Sequence, residues 1–339
     1  MISRIFESLY IKVFVSIVVG RADTTVLIEL YSKGKIKNSF EEVFATTDID
    51  ENMREFILLY ISESPFYYIS FLDDSQNQGS IPTCNKNKID FYQDMSGCSY
   101  RCFKKRWSYF TDHDYIYSIE RKFQHIGVDY IFSPFLLLAN FFKDKIADNL
   151  AMFLLIEEKS VSLSVFNNSE LLYSEHLLLN TQNREELMYE DVGTEMDESL
   201  EEDGIDLEEL DIIEELDSLE DFGDIEDLDT GDDFEDFEES HEIEEDFHTQ
   251  DETPSNEVKS DELNDDYERF SLIQKSINHF YKDDKYESEF IENIYVADGI
   301  GISSDFKKYL EEEMFLSVYI RQIDLTRELA SLARMEMGL

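Results

Sequence analysis

The sequence predicts an α/β fold interrupted by a long acidic insertion. Three observations carry this. Short β-rich runs closed by tight turns alternate along the chain with segments of helical period. The 339 residues are 42% apolar and 14% aromatic with only 4 Pro and 12 Gly, enough to bury a sizeable core. The net charge of −49 is concentrated: Glu185 to Glu268 holds 41 Asp and Glu against the single base Lys259, and the remainder carries only −9.

The elements follow in order. Ile11 to Val19 and Thr24 to Tyr31 are strands separated by Gly20-Arg21-Ala22-Asp23, a hairpin signal. Ser32-Lys33-Gly34-Lys35 turns into a third strand over Ile36 to Phe44. Met53, Phe56, Ile57 and Tyr60 mark one face of a helix over Asn52 to Ile61, and Phe66 to Leu72 reads as a buried strand. Gln76 to Arg101 is polar and irregular, a loop or small subdomain. Arg106 to Thr111 is a short strand, and Tyr115, Ile116, Ile119, Phe123 and Ile126 recur at helical spacing up to Gly127, a C-terminal cap. Val128 to Phe132 is a strand, and Ser133-Pro134 opens a helix through Phe142, with Ser as N-cap and Pro in the first turn. Met152 to Ile156, Val161 to Val165 and Leu171 to His176 are strands, the last two joined at Asn167-Asn168. Beyond the acidic stretch, Phe270 to Tyr281 gives a helical face and Ile294 to Val296 a strand. Ser303-Ser304 caps a helix, Leu316 to Ile320 is a strand, and a last helix starts near Thr326.

The acidic stretch divides the chain into 1–184, 185–268 and 269–339. Like charges at this density oppose a packed core, so disorder is the expectation for 185–268. Leu210, Ile213, Leu216, Phe222 and further apolar residues recur there every three to six positions, a composition suited to folding on contact with a partner; a solvating spacer is the alternative. His241 and His248 lie in the same charged run and read as solvated.

Composition also excludes classes. The charge disfavours non-specific nucleic-acid binding and docking on an anionic membrane. No apolar run reaches the roughly 20 residues a membrane span needs, and Met1 to Gly20 reads as a strand with its lead-in, not a signal peptide. Three cysteines point to a reducing compartment and a cytoplasmic protein. Cys98 and Cys102 lack further zinc ligands, so Cys84, Cys98 and Cys102 are expected as reduced thiols. The spacing of a calcium-binding loop is absent from the acidic tract.

Four stretches resemble the actin-like (ribonuclease H-like) fold, specifically the PilM family of type IV pilus assembly and the cytoplasmic domain of GspL in type II secretion. Val13 to Leu30 stands where that family has its first phosphate hairpin. Trp107 to Phe142 parallels the crossover between halves, and Phe153 to Leu177 the second phosphate hairpin. "IYVADGIGISSDFKKYLEEEM" with "LASLARMEMGL" is similar to the adenosine-loop strand, helix and terminal helix. The resemblance implies two lobes with mixed sheets. The departures imply lost chemistry. Active members place an Asp and a Gly-rich turn in each phosphate hairpin, for magnesium and for backbone contact with phosphate. Here the first hairpin has no acid before Gly20, and the second reads Ile156-Glu157-Glu158-Lys159. Glu157 alone offers a metal ligand, and its charge would repel a triphosphate. Asp298, Gly299 and Gly301 are what remains of a nucleotide loop.

The resulting expectation is a non-catalytic assembly protein with no cofactor, no metal and no catalytic residue. It would serve a pilus, secretion or DNA-uptake machine, binding the cytosolic part of an inner-membrane partner, the secretion ATPase or both, and recruited to the inner membrane by a partner, with Leu210, Ile213, Leu216 and Phe222 as candidate partner contacts. An active ATP-binding ATPase and an acidic decoy for a basic protein are the rival readings.

Overall fold

The computed structural model describes residues 10–179, 256–286 and 288–339. Leu210, Ile213, Leu216 and Phe222, with the acidic stretch up to residue 255, lie outside the described residues.

The chain builds the same five-stranded sheet twice. In the first half β1 (Lys12–Val19), β2 (Thr24–Ser32) and β3 (Lys35–Phe44) form an antiparallel meander. Helix α1 (Glu51–Ile61), capped by the Asp50 carboxylate on the Met53 amide, returns the chain to β4 (Tyr67–Leu72), parallel to β1. An insertion follows, made of β5 (Gln78–Ile81), α2 (Lys86–Tyr92), β6 (Cys98–Phe103) and β7 (Trp107–Asp112), a three-stranded sheet in the order β5-β7-β6. Helix α3 (His113–Lys122) leads to β8 (Tyr130–Phe132), parallel to β4, and α4 (Pro134–Phe141) leaves it. The sheet order is β3-β2-β1-β4-β8.

The second half repeats this. β9 (Ala151–Ile156), β10 (Ser160–Asn167) and β11 (Glu170–Leu178) form the meander. After the acidic stretch come α5 (Asn256–Lys282) and β12 (Asn293–Asp298), parallel to β9. Helix α6 (Ser304–Lys308) continues into a π turn over Tyr309–Glu313, then β13 (Ser317–Gln322) and α7 (Leu325–Glu336) close the chain. The order is β11-β10-β9-β12-β13. The acidic segment therefore sits where the first half has only the short link from β3 to α1. Helix α5 begins at Asn256, inside the stretch that composition assigns to the insertion.

Burial separates the layers. Phe14 and Leu72 from the first sheet, Phe153 and Leu155 from the second, and Leu137 and Leu329 from α4 and α7 share a central core. Met53, Ile57 and Ile119 cover the outer face of the first sheet; Ile273, Phe280 and Phe306 cover that of the second. Strands covered on both faces read as continuous apolar runs, which is why Val13 to Ile17 and Ala151 to Ile156 were visible in sequence. Helix α7 crosses back to the first sheet, where Arg334 pairs with the buried Glu29.

The expectation of three reduced thiols is corrected. Cys84 and Cys102 form a disulfide with Cα atoms 5.4 Å apart, and Cys98 is free and buried. The reason lies in strand order: β7 stands between β5 and β6, so Ser108 pairs with Cys102 on one side while its hydroxyl donates to the Thr83 carbonyl on the other. Linear spacing suggested Cys98 with Cys102 instead, but the two are four residues apart on one extended strand.

Candidate functional site

The carboxyl ends of the central strands of both sheets meet at one cleft, where open α/β sheets commonly hold ligands. Its walls are the turns after β1 and β9 and the chain ends after β4, β12 and β13. The cavity under the turns has a volume of about 230 Å³, and a second hollow of about 450 Å³, lined by Arg21, Asp265, Asp266 and Arg269 among others, shares Asp23, Glu158 and Ile300 with it.

The two hairpin turns are built alike. Gly20 N–H donates to the Asp23 carbonyl at 2.8 Å, and Glu157 N–H to the Ser160 carbonyl at 3.0 Å. Each therefore has a two-residue loop, Arg21-Ala22 in one and Glu158-Lys159 in the other. The turns cross: the Arg21 N–H donates to Glu158 Oε2 at 2.7 Å. A carboxylate of the second turn thus accepts the backbone donor of the first. Gly20 is needed for this approach, because a Cβ there would lie 2.6 Å from the Glu158 and Asp23 carboxylates.

The lining is strongly acidic. Asp23, Glu41, Asp74, Glu157, Glu158 and Asp324 face the cavity with one cation, Lys159, whose Nζ lies 3.3 Å from Asp74. Desolvation pushes the Glu157 carboxyl up to about 8, opposed by the Ser160 hydroxyl that donates to it at 3.2 Å. Next to it Asp73, 2% exposed, is pushed up to about 6 by burial, although it accepts from the Ser75 N–H at 3.0 Å. Asp74 accepts a 2.5 Å hydrogen bond from the Tyr115 hydroxyl. His176, held near 4 by burial, bonds Ser162 Oγ through Nδ1 at 2.9 Å and faces Gln78 Nε2 at 3.4 Å.

Asp298, Gly299 and Gly301 lie at the end of β12. Each has a structural task there. The Asp298 carboxylate accepts from the N–H groups of Ile300, Gly301 and Ile302 at 2.8–3.2 Å, so the loop's donors are satisfied by its own side chain. A Cβ on Gly299 would lie 2.8 Å from the Ile156 carbonyl, and Gly301 has φ +82°. Beside this loop Asp266, 3% exposed, accepts from Arg269 Nη1 at 3.0 Å and from the Ser303 N–H at 3.2 Å. Arg21 reaches across to Asp265 at 2.6 Å. Sequence reasoning missed Asp265, Asp266 and Arg269: composition assigned the two acids to the acidic stretch, and Arg269 opens the segment after it. An Arg three and four residues after two acids in a helix was the available signal.

The two halves coincide with two family models. The chain belongs to the family described as "Domain of unknown function (DUF8341)", whose model matches residues 152–338. Residues 10–139 match a second model, "Domain of unknown function (DUF8569)". No curated protein matches in sequence. Among solved structures, the chain is similar to a Bacteroides thetaiotaomicron protein with actin-like ATPase fold and unknown function, at 9% identity, 96% of this chain, 97% of that chain and a TM-score of 0.50. It is also similar to a PilM-PilN type IV pilus biogenesis complex, at 8% identity, 94% and 98% coverage and 0.47. The ethanolamine utilization protein EutJ from Carboxydothermus hydrogenoformans gives 8% identity, 96% and 89% coverage and 0.41. At such identities the likeness speaks to fold and not to activity. The fold is that of the actin-like ATPases, as the resemblance implied. Among the described residues no helix is long and apolar enough to cross a membrane.

Proposed function

We propose that this protein is a non-catalytic assembly scaffold, an actin-like body whose nucleotide cleft is closed by its own side chains. The observation that carries the reading is the Glu158 carboxylate bound to the Arg21 N–H at the crossing of the two hairpin turns. Three features support it. Val19 and Ile156 end the strands where active relatives of the resemblance place magnesium-organising acids. The cavity under the two turns is lined by six carboxyl groups against one lysine, and even with Glu157 holding its proton the other five give a triphosphate there a field of its own sign. The glycines kept at the third loop have local reasons, Gly299 the approach of the Ile156 carbonyl and Gly301 its left-handed backbone. Magnesium and ATP therefore do not suit the residues present, and no reaction step is assigned to them.

The finer reading carries over from the resemblance in sequence. It is a part of a pilus, secretion or DNA-uptake machine, held at the inner membrane by the cytosolic peptide of a membrane partner or by the secretion ATPase. Purified full-length protein is expected to show no ATP turnover and no saturable ATP binding by titration calorimetry up to millimolar nucleotide. Turnover above background that disappears in Glu157→Ala or Gly299→Ala would defeat the scaffold reading and restore the active-ATPase one.

A further inference from the structure

We propose that the outer edge of β13 accepts a basic, extended peptide segment of a partner protein as a sixth strand of the second sheet. A free sheet edge is a row of unpaired N–H and C=O groups, and proteins guard theirs. The other edges of the two large sheets are guarded. β3 carries Lys35, Lys37, Glu41 and Glu42. β8 is three residues long. β11 is covered by β5, where Ser174 Oγ accepts from the Ser80 N–H at 3.0 Å and donates to the Ser80 carbonyl at 2.9 Å.

β13 differs. It pairs with β12 on its inner side, and among the described residues no strand pairs with its outer side. Tyr319 and Ile320 on it are 51% and 37% exposed. Phe315, two residues before it, is 84% exposed and holds φ +56°. That left-handed conformation is unfavourable for an L-residue, so a large apolar ring is kept in solvent on a strained backbone. Phe290, 69% exposed, belongs to the same end of the sheet, since the Glu292 carbonyl accepts from the Ser317 N–H at 2.9 Å.

Charge selects the occupant. Glu289, Glu292, Glu312 and Glu313 flank these two rings and are exposed, while the cation of β13, Arg321, is taken by Asp144 at 3.0 Å. A strand bearing Lys or Arg would meet these acids and rest its alternate apolar residues on Tyr319 or Ile320. A second copy of this chain would bring the same acids against them, on a body already at −49. The inference does not need the cleft reading: Phe290 and Phe315 lie at the amino-terminal ends of β12 and β13, away from the cleft at their carboxyl ends, and the edge would bind whether or not the cleft holds nucleotide.

The test uses full-length protein and a decapeptide alternating Lys and Val, with a control in which a central Val is replaced by Pro. Because the acidic stretch attracts any lysine peptide, the readout is hydrogen exchange of the backbone over residues 315–323 rather than binding alone. The alternating peptide is expected to slow exchange there by about tenfold while the Pro peptide does not, because Pro interrupts strand pairing. Phe315→Asn, whose side chain tolerates the left-handed conformation, should keep or raise the melting temperature and weaken the protection several-fold. Tyr319→Thr should weaken it while preserving strand propensity. Equal slowing by both peptides, no slowing at all, or concentration-dependent protection without peptide would each overturn the proposal, the last in favour of a self-associating edge.

Discussion

The two halves of this molecule are one fold used twice, and their hairpin turns diverge at every position. Strand register equates Gly20, Arg21, Ala22 and Asp23 after β1 with Glu157, Glu158, Lys159 and Ser160 after β9. It also equates Asp73 after β4 with Asp298 at the end of β12, since Ile17 pairs with Phe71 and Ile156 with Asp298. The first turn offers a backbone donor; the second supplies the acceptor that takes it. One half's side chain meets the other half's backbone there with no change of fold, so residues of the cleft carry stability effects that the comparison between halves predicts.

The largest expected effect is the pH dependence of two desolvated carboxyls, the half-buried Glu157 and the buried Asp73. Glu157 is raised from 4.5 to about 8, so the folded state holds a proton that the unfolded chain releases. The folded state then binds more protons than the unfolded one, and stability falls as pH rises from about 4.5 to about 8. The full gap corresponds to an upper limit of about 5 kcal/mol at 1.36 kcal/mol per pH unit, reduced by the open side of the cleft. Glu157→Gln should melt above the wild type at pH 8 and converge with it below about pH 4.5. Asp73, raised from 3.8 to about 6, gives the same sign in a lower window, so Asp73→Asn should gain over the wild type between those values and level off above. The acidic stretch is common to all three proteins and cancels in the differences. Parallel melting curves across pH would mean that neither carboxyl is protonated in the fold.

The glycines come next. At Gly299 an added methyl meets backbone, the Ile156 carbonyl at 2.8 Å; at Gly20 it meets the ends of two carboxylate side chains at 2.6 Å, and these can swing away. Gly299→Ala is expected to cost about 1–3 kcal/mol, in the range of overpacking, and Gly20→Ala clearly less, by denaturant unfolding. A larger loss at Gly20 would show that Glu158 is fixed and that the crossing of the turns is part of the core.

Much of this architecture was legible in sequence because its strands are buried on both faces and its turns carry Gly, Asn or Pro. The runs at Val13 to Ile17 and Met152 to Ile156, the Ser133-Pro134 helix start and the cap at Ser303 needed only local rules. What stayed hidden depends on pairing between distant segments. The Cys84–Cys102 disulfide follows from the order β5-β7-β6, and the contact of Glu158 with the Arg21 N–H joins positions 137 residues apart. The start of α5 was masked by composition, since Asp265 and Asp266 count as two more acids until Arg21 and Arg269 are brought beside them.

The smallest effect bears most directly on the crossing itself. Glu158 is exposed, and exposed ionic contacts are worth about 0–1 kcal/mol. Glu158→Ala should therefore shift the melting temperature by no more than about 2–4 °C. Its local effect is different in kind. The Arg21 N–H loses its acceptor, and the Gly20–Asp23 turn keeps only its closing bond, so exchange of the Arg21 amide should accelerate by about tenfold while amides of β1 and β9 remain protected. Glu158→Gln separates charge from hydrogen bonding: its side-chain oxygen still accepts, and the amide should stay largely protected. If Arg21 exchanges at the same rate in all three proteins, the carboxylate is not seated at the turn in solution. The cleft would then be open, and the comparison between the halves would have to be redrawn around a vacant first turn.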